Sequence, residues 1–206
     1  MYELIFLGYE FVAEFVPFLL VLLFLRRKYS GEPSGALRYL LPVLLALYII
    51  AVFHVTGAGT VYDALRTPFY GISRRINFIP FSRTIDPMGY FLNVVMLVPF
   101  GFLIPAMWPA FRKWHRTAAV STLFSLLIEV SQLLCLRGTD VDDLIMNTLG
   151  GLCGYCIFRI WYRIVGQRMQ LTPFFPAEFP AYLLALFLGR FFLFHPMGLI
   201  RLIYGV

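Results

Sequence analysis

The sequence predicts an all-α, polytopic membrane helix bundle of five to six transmembrane helices, and three observations carry that prediction. The 206-residue chain is 60% hydrophobic and 14% charged, with a mean hydropathy of +0.79, far from the balance of a soluble domain. Its apolar residues gather into runs of the roughly 20 residues that a helix needs to cross a bilayer. Its basic residues cluster between those runs, where Lys and Arg report orientation. The net charge of +6 is therefore read as topology and gives no reason to expect a nucleic-acid partner.

Six stretches meet the length requirement: Leu4–Leu25, Leu37–Thr56, Tyr90–Trp108, Thr117–Leu136, Asp143–Trp161 and Ala181–Ile203. The first follows "MYE" without a basic leader region, so it is expected to persist in the mature protein. The last contains Arg190, His195 and Pro196 and reads as a span or as an interfacial or broken helix. Three regions result: two N-terminal spans (1–56), a central loop with three spans (57–161), and a linker with a C-terminal apolar helix (162–206). Placing the first, third and fifth connections in the cytoplasm gathers Arg26, Arg27, Lys28, Arg38, Arg112, Lys113, Arg116, Arg159, Arg163 and Arg168 on the inner side. Arg66, Arg74, Arg75, Arg83, Arg137 and Arg201 remain outside, and so do both termini. On that topology the 57–89 segment, the start of the third span, the end of the fourth and the start of the fifth meet at the outer surface.

Polar residues enter the membrane in a pattern. In "TAAVSTLFSLLIEVSQLLCLRG", Ser121, Ser125, Glu129 and Gln132 recur at helical spacing along one face. An ionisable group at that depth costs roughly 2.5–3.5 kcal/mol on insertion scales and turns toward protein or a water-filled cavity. In the fifth span Asp143, Asn147, Gly150 and Gly154 share a face, and the glycines form a GxxxG that lets another helix approach closely. Asp140 is placed to cap that helix, and the neighbouring acids suit the positive end of its dipole. Asn93 enters with the third span, which also carries Gly101, Pro99 and Pro105. Ahead of it, in "RRINFIPFSRTIDP", the arginines suit phosphate or carboxylate groups, and Phe78, Ile79, Pro80 and Phe81 suit either the membrane interface or a solvated loop.

These residues also carry a family resemblance. Asn77-Phe78-Ile79-Pro80-Phe81, Asn93, "PFGFLIP", "IEVSQ" and "RGTDVDDLIMNTLGG", in that order, resemble the VanZ-like family between about Asn77 and Tyr155. The resemblance implies a small multispanning protein of the bacterial plasma membrane. The family's namesake is associated with low-level resistance to teicoplanin, a lipid-tailed glycopeptide acting on cell-wall precursors outside the membrane. The motif positions fall on Asn77, Pro80, Phe81, Asn93, Pro99, Gly101, Glu129, Gln132, Asp140, Asp143, Asn147, Gly150 and Gly151. Asp142 falls where variation is expected.

The candidate polar cluster is therefore Asn77, Arg83, Asn93, Glu129, Gln132, Arg137, Asp140, Asp143 and Asn147, with Gly101, Gly150, Gly151 and Gly154 packing helices. Its expected partners are membrane lipids and either a lipoglycopeptide or a lipid-linked cell-wall precursor. One function is an envelope protein that lowers lipoglycopeptide susceptibility through an outward-facing pocket. The other is a membrane-embedded enzyme on a lipid-linked substrate, with Glu129, Asp140 and Asp143 as acid–base or cation-binding groups. Transport coupled to Glu129 is the weaker third, because no inverted repeat is evident.

The remaining residues read more plainly. Cys153 and Cys156 are expected to be a buried small-residue pair on one helix face, and no disulfide framework, cofactor or metal site is signalled. His54, His115 and His195 are expected to pack or lie at the interface. No histidine accompanies the serines near Glu129, so an activated serine nucleophile is not supported. Glu10 and Glu14 share a face, and Arg190 is the expected intramembrane partner for one of them.

Overall fold

The computed structural model describes residues 2–29, 35–66, 76–82, 86–133, 138–166 and 174–195. Arg83 and Arg137, both expected in the polar cluster, lie outside the described residues, as do Cys135 and the end of the last predicted span. The fold is all-α, with one two-residue strand pair. Among the described residues four helical stretches are long and apolar enough to cross a membrane: Leu4–Lys28, Leu37–Arg66, Pro87–Met107 and Val141–Val165. The chain divides into two compact units, Met1–Pro68 with Ala177–Val206, and Phe69–Pro176.

The first unit contains α1 (Tyr2–Lys28), α2 (Leu37–Thr56), the short α3 (Val61–Arg66) and α7 (Glu178–Leu188), which runs into a π-helical turn at Gly189–Leu193. Gly57 ends α2 in the left-handed conformation at φ 63°, where the N–H groups of Gly57 and Ala58 take up the carbonyls of His54 and Phe53. Phe18, Leu22, Leu45, Ala46, Ile49, Phe53 and Leu186 form the buried core. Gly189 sits where a Cβ would meet the Ala13 and Glu14 backbone, so only a glycine allows this approach to α1. The helical stretch 178–193 rises about 24 Å, short of the ~30 Å hydrocarbon core.

Charge in this unit is buried in matched sets. Arg190 bonds both Glu10 and Glu14, donates through Nε to Ala58 O at 2.9 Å, and lies 4.7 Å above the Phe194 ring. Expected to partner one acid, it holds two. His54 is not merely packed or interfacial: its Nδ1 stands 2.8 Å from Glu10 Oε2. Arg26, at the end of α1, is buried against Glu178 at 2.6 Å, and Tyr182 OH donates to the same carboxylate at 2.9 Å.

The second unit contains β1 (Ile76–Asn77), α4 (Pro87–Met107), a 3-10 turn (Pro109–Phe111), α5 (Trp114–Leu133), β2 (Thr139–Asp140) and α6 (Val141–Trp161), which continues as a π-helical turn at Tyr162–Gly166. Asp86 caps α4 by accepting the Met88 N–H, with Pro87 supplying the first helical φ. The α4–α6 pair is set by small residues from both sides. A Cβ on Gly150 would strike Val94 O, one on Gly154 would strike Val98 O, and one on Gly101 would strike Gly151 O. Gly151 faces the other way, and its Cβ would meet the Ser121 side chain on α5. Close backbone approach of this kind is how membrane helices gain packing energy without a hydrophobic driving force between them. Phe100 stacks on Phe124 at 4.6 Å to close the α4–α5 contact. Cys153 and Cys156 depart from expectation: both thiols are free and exposed, because Gly150, Gly151 and Gly154 take the buried face of α6.

Candidate functional site

Three polar faces meet where α6 begins. Each follows from local sequence, but the way they interlock does not. β1 and β2 pair in parallel, Ile76 opposite Thr139 and Asn77 opposite Asp140. That register lets Asn77 Nδ2 donate to both Asp140 oxygens, at 3.1 and 3.2 Å. Asp140 in turn accepts the Asp142 N–H at 3.1 Å, so the cap of α6 is also the anchor of the 76–82 loop. Asn77 Oδ1 accepts from Ile79 N at 3.1 Å and from Ser82 Oγ at 3.0 Å, which holds the loop in a tight turn.

Asp142, weighted less than Asp140 and Asp143 on sequence because its position is expected to vary, is 2% exposed, accepting from Phe81 N at 2.9 Å and from Tyr90 OH at 2.5 Å. One carboxylate thus ties the loop and the first turn of α4 to α6. Its partners lie 61 and 52 residues away in sequence, so no local pattern could have named it.

Below this junction the antiparallel α5 and α6 face each other through paired polar positions. Glu129 lies in the field of Asp143 and Asp140, with the Asp140 backbone N–H on its carboxylate, and Thr139 donates to its main-chain carbonyl at 3.1 Å. One turn further in, Asn147 Nδ2 donates to Ser125 Oγ at 2.9 Å. Beyond that Ser121 meets Gly151, and Thr122 bonds Thr148 at 3.0 Å beside them. Asn93 reaches the seam from α4, donating to Asp143 at 2.5 Å. Gln132 sits partly buried in the last turn of α5.

The seam is not saturated. Glu129 Oε2, Asn147 Oδ1 and Ser121 Oγ are buried with no hydrogen-bond partner among the described residues, on side chains that are 3%, 1% and 0% exposed. A buried polar atom without a partner costs on the order of 1–3 kcal/mol, and such atoms call for a role. Two of the three are oxygen acceptors, so the seam offers itself to hydrogen-bond donors. Among the described residues no group of three or more His, Cys, Asp or Glu side chains is arranged to hold a metal ion.

Several apolar helices long enough to span a bilayer, with acids and amides buried within the fold, define a helical integral membrane protein. More particularly, residues 39–162 match the VanZ/LLP1 family, and the chain belongs to it. Among curated proteins it is similar to Protein VanZ of Enterococcus faecium, with 29% identity over 126 residues, covering 61% of this chain and 77% of that protein. No solved structure matches the chain.

Proposed function

We propose that this protein is a multi-pass protein of the bacterial plasma membrane that lowers susceptibility to lipoglycopeptides such as teicoplanin. It does so through an outward-facing polar pocket that engages an amphiphilic or lipid-linked ligand. The observation that carries this reading is the unsaturated seam of Glu129, Asn147 and Ser121 beneath the Asn77–Asp140 junction. A ligand bringing hydroxyl or amine donors would meet those oxygens, and its apolar part would remain in lipid. The family resemblance supplies the class of antibiotic. In this reading α5, at 20 residues and about 30 Å, is a fifth span, α7 with its continuation is a sixth or partial span, and both termini face outward.

The acids other than Glu129 serve chiefly to hold the site together, since Asp140 and Asp142 are engaged by Asn77, Phe81 and Tyr90, and Asp143 by Asn93. The enzyme alternative therefore narrows to Glu129 as the acid–base group, because it keeps a free carboxylate oxygen. Teicoplanin susceptibility of a sensitive bacterium expressing the chain, Glu129→Gln or Asn147→Ala separates the two readings. Binding predicts a graded loss of protection in both variants. Catalysis predicts collapse in the isosteric Glu129→Gln, with Asn147→Ala retaining part. Full protection in both variants would remove the seam from the function. Orientation is tested in intact cells lacking Cys135, Cys153 and Cys156, by labelling Thr139→Cys and Lys113→Cys with an impermeant thiol reagent. Labelling at Thr139→Cys alone is expected; labelling at Lys113→Cys alone would overturn an outward pocket.

A further inference from the structure

We propose that the Asn77–Ser82 loop is a membrane-embedded wedge, seated in the headgroup–acyl boundary and contacting bilayer lipid, and not a solvated connection. Its large side chains turn away from the protein: Phe78 is 77% exposed, Ile79 68% and Phe81 52%. Three such residues in four positions would be a costly apolar patch in water. In lipid, exposed backbone is the usual obstacle, because irregular backbone survives there only when its polar groups are satisfied internally.

The N–H groups at the tip of this loop meet that condition. Pro80 has no N–H to satisfy. Ile79 donates to Asn77 Oδ1, Phe81 donates to Asp142, and Ser82 donates through its backbone to Ile79 O at 3.4 Å. The Ser82 hydroxyl is also turned inward, onto Ile79 O at 2.8 Å. Phe81 adopts φ 56°, a left-handed backbone that costs a bulky residue on the order of 1–3 kcal/mol and persists only where the surroundings impose it. Here the Asp142 bond imposes it, and the Phe81 ring lies 6.2 Å from Tyr90, edge to face.

The apolar surface does not stop at the loop. It continues onto Met88, Phe91 and Leu92 of α4, which are 66%, 61% and 56% exposed on a helix apolar enough to span the bilayer. A single lipid-facing surface therefore runs from the α4 face onto the loop, and the occupant it fits is bilayer lipid. Such a wedge can seat in either leaflet.

The test uses the full chain in phosphatidylcholine–phosphatidylglycerol liposomes, with Cys135, Cys153 and Cys156 replaced and a nitroxide attached at Phe78→Cys or Ile79→Cys. These positions are exposed, so labelling leaves the core intact. Val95→Cys on α4 provides the lipid reference and Lys113→Cys the water reference. Oxygen access at the level of Val95→Cys, with access to a water-soluble nickel chelate several-fold below Lys113→Cys, is the expected result. Nickel access equal to Lys113→Cys would overturn the proposal. Shielding from both reagents would overturn it as well, since protein, such as a second copy of the chain, would then be covering the loop. Quenching of a bimane at Ile79→Cys by lipids brominated along the acyl chain gives an independent reading: quenching is expected, and its absence counts against insertion.

Discussion

The two units bury polar groups in opposite ways. In the first, charge answers charge: Arg190 lies between Glu10 and Glu14, and Arg26 meets Glu178. In the second, the buried acids are met by amides, hydroxyls and backbone N–H groups; among the described residues both units keep buried atoms without partners, Glu14 Oε2 and Tyr62 Oη in the first and Glu129 Oε2, Asn147 Oδ1 and Ser121 Oγ in the second. A compensated ion set is costly to disturb and offers little to a ligand. Removing one partner therefore strands a full charge in the first unit, and in the second chiefly breaks bonds to neutral donors.

The largest effect should come from breaking compensation in the first unit. Arg190→Met would strand two buried carboxylates, and removing one side of such a set costs about 3–5 kcal/mol. Thermal unfolding in detergent should register a large loss for Arg190→Met and substantial recovery on adding Glu10→Gln and Glu14→Gln. The proposed protection against teicoplanin should return with the fold in the recovered variant. Recovery of stability without protection would mean that the ion set belongs to the function, and the contrast between units would fail.

Next is the helix contact beneath the seam. Gly150→Val places a branched side chain where Val94 O now lies, an overpacking error of about 1–3 kcal/mol. Its unfolding midpoint should fall, and that of Gly8→Val should not, because a Cβ on Gly8 meets nothing within 4 Å.

A more local change is expected for Asp142→Ala, which removes the acceptor for Phe81 N and Tyr90 OH. Each lost bond contributes on the order of 0.5–1.5 kcal/mol, more to a charged group. Hydrogen exchange should rise at Phe81 and its neighbours while the α4–α6 contact keeps its protection. Unchanged exchange at Phe81 would mean that the strand pair alone holds the loop.

What the sequence made legible follows from range. The Ser121–Ser125–Glu129 face, the Gly150–Gly154 stripe and the Asp140 cap are written at helical spacing within single elements, and all lie where that spacing puts them. Arg190 was found because an arginine in an apolar run has few possible partners. The roles of Asp142, of His54 against Glu10, and of Arg26 against Glu178 depend on side chains 44 to 152 residues apart. Periodicity carries no information over such separations. Helix count is the other case: the polar face of α5 lowers its hydropathy, so among the described residues four helices, fewer than the six stretches read from sequence, are both long and apolar enough to span.

The smallest predicted effect isolates the seam's ordinary bonds from its unsatisfied ones. Thr122 and Thr148 bond each other at 3.0 Å, and each hydroxyl also reaches a carbonyl of its own helix, Ala118 O and Leu144 O. Removing one hydroxyl leaves the other with a partner, so Thr122→Val should cost about 0.6 kcal/mol, the average for interhelical hydrogen bonds in membranes. A double-mutant cycle with Thr148→Val measured by unfolding in detergent should give a coupling of that size and leave teicoplanin protection unchanged. Glu129→Gln should do the reverse, with a small change in stability and a loss of protection. If the threonine pair altered protection as strongly as Glu129, the seam would act through its overall geometry, and its unsatisfied oxygens would have no special part in the site.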